Sequence, residues 1–93
     1  AQERRNTLIR PLERRLEEVE SEIARKDDRK AAISAELEKP ENMSDNQRLM
    51  ELTQEYQTLE RETDALFTVW EDISAELERA TTALAEEFPG VLS

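Results

Sequence analysis

The feature that most constrains this chain is a pair of apolar stripes separated by one proline-bearing break. The first runs Ile9, Leu12, Leu16, Val19, Ile23, Lys26, Lys30, Ile33, Leu37. The second runs Leu49, Leu52, Tyr56, Leu59, Thr63, Leu66, Trp70, Ile73, Leu77, Ala80, Leu84. Steps of three and four are the heptad signature of helices that bury one narrow seam. A chain with 4% aromatic residues and 39% charged residues cannot fill a layered globule. The expected fold is therefore all-α, a two-helix antiparallel coiled-coil hairpin, because a short connection between long amphipathic helices makes them antiparallel neighbours.

The break is "KPENMSDNQ". Pro40 biases Lys39 away from helical dihedrals and ends the first helix. Ser44 or Asp45 can cap the second, with Gln47 completing a capping box after Ser44. Pro11 lies off the first stripe. It either opens the main helix at its first turn or kinks a longer one. These signals place helices at about 11–38 and 46–87, within a hairpin over 11–88. Residues 1–10 are then a linker or helix extension, and 89–93 a tail that Pro89 and Gly90 detach near Phe88.

Setting Leu37 against Leu52 fixes a register in which facing residue numbers add to 89. Lys26 then meets Thr63, the one polar position of the second stripe. Arg29 comes near Glu62, and Arg15 near Glu76. The lysine pair in "RKDDRK" reads in three ways: a device that discriminates against shifted registers, a nucleic-acid contact, or a mobile waist. The second helix is the longer, so Ala80, Leu84 and Phe88 overhang the hairpin. They await residues 1–8, an upstream domain or a second copy in a weak homodimer.

Chemistry is sparse. With no histidine, no cysteine and a single glycine at position 90, the chain has no thiolate site and no glycine-rich phosphate loop. Its carboxylates sit beside bases, as in Glu22–Lys26 and Glu36–Lys39, which is how a solvated helix surface looks. The expectation is no catalytic residue, no metal ligand and no cofactor in this chain. Without a signal segment or a membrane-length apolar run, a cytoplasmic location is expected.

Charge is unevenly placed. Residues 1–39 hold ten Lys/Arg and ten Asp/Glu, whereas residues 40–93 hold three and thirteen. Any phosphate contact therefore falls on the first helix. Its candidates are Arg4, Arg5, Arg10, Arg14 and Arg15 at the open end, with Arg25 and Arg29 farther along. Arg4 and Arg5 oppose no partner charge in the register. Trp70 falls on the stripe and is assigned to the core. Phe67, beside the seam, either widens the stripe or anchors another helix or domain.

These residues resemble the C-terminal coiled-coil domain of the ABC-F (Uup-like) ATP-binding proteins. The likeness spans roughly residues 10–80. It rests on Leu37 with Pro40, then Leu52, Glu55, Leu59, Glu60 and Glu62, then Leu66, Trp70, Glu71 and Ile73. It implies a parent ATPase that binds ATP and Mg and acts on ribosomes or DNA. The arm itself would touch ribosomal RNA, DNA or the parent's ATPase domains, with no membrane. The acidic second half departs from the basic surface expected of the DNA-binding branch. "LEKPENMSDNQRLMELTQEYQTLE" is also similar to the N-terminal helical domain of class I peptide-chain release factors. A coiled-coil scaffold with no nucleic-acid role is the third reading.

Overall fold

Helix termination explains the layout. The structure, a computed structural model, describes residues 2–87. A short helix α1 (Gln2–Arg4) runs through a π turn (Arg5–Ile9) into α2 (Arg10–Leu37). A 3-10 turn (Pro40–Asn42) leads to α3 (Asn46–Glu87). Lys39 is extended, with φ −71° and ψ 129°, as the residue before a proline should be. Asp45 is the cap of α3: its Oδ1 accepts from the Arg48 backbone N–H at 3.0 Å. Gln47 forms no capping box and instead donates to Glu51 at 3.0 Å. Phe88 as the helix end, and the 89–93 tail, lie outside the described residues.

The chain divides into two units, Ser21–Phe67 and Ala1–Glu20 with Thr68–Ser93. In the first, Ile33 is fully buried and packs with Leu52, Leu59, Leu37 and Tyr56. Leu52, Tyr56 and Leu59 follow one another along one face of α3, so Ile33 packs against that stretch of the stripe. Every other stripe position of this unit is buried or half-buried, while most residues between them are exposed.

The tip is held by short polar bonds. Asn42 Nδ2 donates to the Glu36 carbonyl at 2.8 Å, satisfying an end-of-helix acceptor, and to Glu36 Oε2 at 3.2 Å. Lys39 Nζ reaches Glu36 Oε1 at 2.7 Å.

In the second unit, Ile9, Leu12, Ile73 and Leu84 form the buried positions. Leu84 is 2% exposed, and Arg4 Nη1 lies 3.0 Å from Glu87. The end of α3 is thus covered by the chain's own first residues, the first of the three partners expected for the overhang. Trp70 is half-buried on the seam, and its indole N–H donates to Glu20 at 3.1 Å.

The start of the first helix follows the longer, distorted alternative. Pro11 has no N–H to offer the Thr7 carbonyl, and its ring crowds that oxygen. One extra residue in the preceding turn relieves the clash. The Arg10 N–H bonds the Arg5 carbonyl, five residues back, and Thr7 Oγ1 caps the Glu3 carbonyl at 2.8 Å.

Candidate nucleic-acid interface

The two stripe lysines are committed within the chain. Lys26 Nζ lies 3.4 Å from Glu62, and Lys30 Nζ lies 3.3 Å from Asp27 and 6.0 Å from the centre of the Tyr56 ring. Each side chain is 21% exposed. Both side chains are largely out of solvent, and each ammonium meets a carboxylate, which leaves it less available to an outside phosphate.

The arginines divide. Arg29 makes a bidentate pair with Glu55, at 2.7 and 2.8 Å, rather than the Glu62 pair expected from the register. Its guanidinium is raised from its ordinary pKa first by that hydrogen bond, and Glu55 is lowered by the same bond. Hydrogen bonds from Lys39 and Asn42 likewise lower Glu36, and the Glu36 bond raises Lys39. Arg4, expected to be unopposed, is paired with Glu87. Arg15 is exposed and makes no ion pair with Glu76. Arg25 is exposed in the unit that also holds Arg29.

Arg5, Arg10 and Arg14 come together. With Glu13 and Glu17 they line one open concavity of about 410 Å³. None of the three guanidiniums has a carboxylate partner among the described residues. The π turn joins Arg5 and Arg10 by a backbone bond, from the Arg10 N–H to the Arg5 carbonyl. Arg14 follows one α turn later. Three guanidiniums beside two carboxylates leave a net excess of one positive charge on a shallow face that attracts anions. They do not make an enclosed pocket able to desolvate a substrate. Sequence reading included all three residues but had no signal that separated them from Arg4 and Arg15.

Elsewhere the surface offers little chemistry. Among the described residues, no group of three or more His, Cys, Asp or Glu could hold a metal ion, and no helix is long and apolar enough to cross a membrane. Phe67 is 46% exposed, so it does not widen the buried stripe.

The described residues are helical, and the π turn and the start of α2 bring Arg5, Arg10 and Arg14 to one concavity. The chain belongs to the ABC transporter C-terminal domain family, whose model matches residues 8–75. It is a C-terminal domain of an ABC-type protein. No curated protein and no solved structure matches it. The matched span includes Arg10 and Arg14 but not Arg5.

Proposed function

We propose that the chain is the coiled-coil arm of a cytoplasmic ABC-F (Uup-like) ATPase and that it meets nucleic-acid phosphate, in DNA or ribosomal RNA, through Arg5, Arg10 and Arg14. The observation that carries this reading is the convergence of three unpaired guanidiniums on one face. Arg4 and Arg29 are paired with carboxylates, and residues 40–93, with thirteen acids to three bases, repel phosphate. Such contact is sequence-independent and weak, because backbone phosphates carry the affinity and Glu13 and Glu17 temper the field.

The test is titration of the chain at low salt with duplex DNA and with a structured RNA. Binding should weaken steeply as salt rises, with a log–log slope of about −0.9 per neutralised phosphate on duplex DNA. Arg10→Glu with Arg14→Glu should abolish binding and leave helicity unchanged. Absence of binding to both probes overturns the nucleic-acid reading. It would favour contact with the parent's own ATPase domains, for which exposed Phe67 is one apolar anchor.

A further inference from the structure

Arg5 and Arg10 are five residues apart. On an undistorted α-helix, five residues place two side chains about 140° apart around the axis. Arg5 would then point away from the face that carries Arg10 and Arg14. In the structure all three line one concavity. The reason is the π turn over Arg5–Ile9, in which the Arg10 N–H bonds the Arg5 carbonyl rather than that of Asn6. A π turn is one residue inserted into an α-helix, so the residues flanking it keep the phase they would have without the insertion. Arg5, Arg10 and Arg14 therefore behave as an i, i+4, i+8 row.

We infer that Pro11, through the π turn it imposes, is a positioning residue for phosphate binding: it rotates Arg5 into line with Arg10 and Arg14 as a third contact. The inference rests on the phosphate-contact reading and deepens it. Pro11 itself touches no ligand. It lacks the N–H that would bond Thr7, and its ring displaces that carbonyl, so the preceding turn takes the extra residue. The row that results has steps of about 6 Å, four α-helical residues at 1.5 Å each. It suits successive phosphates of a single backbone strand. Arg4, next in sequence, is turned the other way and held by Glu87, which leaves Arg5 as the residue the π turn delivers.

The experiment is a cycle of variants of the whole chain, titrated with short duplex DNA across a range of salt. Wild type, using three guanidiniums, should show a slope of about −2.7. Arg5→Ala and Pro11→Ala should each reduce it in magnitude by about 0.9, and the double variant should match either single one. Alanine at position 11 favours regular helix, so folding is not at risk, and far-UV circular dichroism verifies it. Deleting Asn6 in the Pro11→Ala background restores the phase without the proline, and should restore the wild-type slope.

Wild-type binding with an unchanged slope in Pro11→Ala overturns the positioning role while leaving the site reading intact. A reduced slope that the Asn6 deletion does not restore also overturns it, by showing that proline acts on structure generally. No binding by wild type overturns the site reading and this inference together.

Discussion

Thr63 shows what a single polar residue does to a seam of this kind. It is 3% exposed, and its hydroxyl has no hydrogen-bond partner. A buried unsatisfied hydroxyl carries a desolvation cost that no bond returns. Lys26, the natural candidate to answer it, sends its ammonium to Glu62 instead. Thr63→Val keeps the shape and removes the orphan, so it should stabilise the fold by about 1 kcal/mol. Thermal unfolding followed by circular dichroism reads this directly; an unchanged or lower midpoint would mean that the hydroxyl is satisfied. The sequence showed that position 63 breaks the stripe and that Lys26 belongs near it. It did not show that the lysine would bypass the hydroxyl, because several glutamates lay within the reach of a flexible side chain. The Arg29 pairing differs for a related reason: Glu55 and Glu62 occupy equivalent heptad positions one repeat apart, and Arg29 takes Glu55 while Lys26 takes Glu62.

At the scale of elements, the Ser21–Phe67 unit, turn included, is the part whose stability depends most legibly on pH. Glu36 and Glu55 both have pKa values lowered by hydrogen bonds, from Lys39 with Asn42 and from Arg29 respectively. A lowered carboxylate contributes stability above its unfolded pKa, and that stability is lost as pH falls through the folded value. Arg29 and Lys39 are raised, so their contribution is fully present below their ordinary values and is lost only when pH rises through the raised ones, far into the alkaline range. The window that matters is therefore acidic. Glu36→Gln with Glu55→Gln should lower the unfolding midpoint at neutral pH, and the gap from wild type should close as pH drops below about 4.5, the ordinary carboxylate value. A gap that stays constant down to acid would show that the charges of these carboxylates do not contribute. The break itself was legible, since Pro40 and Asp45 are strong local signals. The π turn was not: Pro11 announced a disturbance, but whether a helix starts there or bulges depends on whether residues upstream find something to pack on. Leu84 and Glu87, far away in sequence, supply that support.

For the whole molecule, charge sets two responses to salt that should run in opposite directions. The chain carries a net charge of −10, and the excess lies in residues 40–93, most of which are one helix. Like charges along α3 repel one another in the folded state, and added salt screens them. The cross-helix pairs Arg29–Glu55, Lys26–Glu62 and Arg4–Glu87 pull the other way, but each has at least one partner largely in solvent, where a pair contributes little. Repulsion wins, because thirteen acids face three bases in that half, and the cross-helix pairs at Glu55, Glu62 and Glu87 leave a large acidic excess. Raising salt should therefore raise the thermal midpoint while weakening attachment to duplex DNA, since counterions compete with Arg5, Arg10 and Arg14 for phosphate. Parallel melting and titration series on the same samples separate the two. A midpoint that falls with salt would assign the balance to the ion pairs. Binding to duplex DNA that holds or strengthens as salt rises would remove the phosphate backbone as the partner of the arginine row.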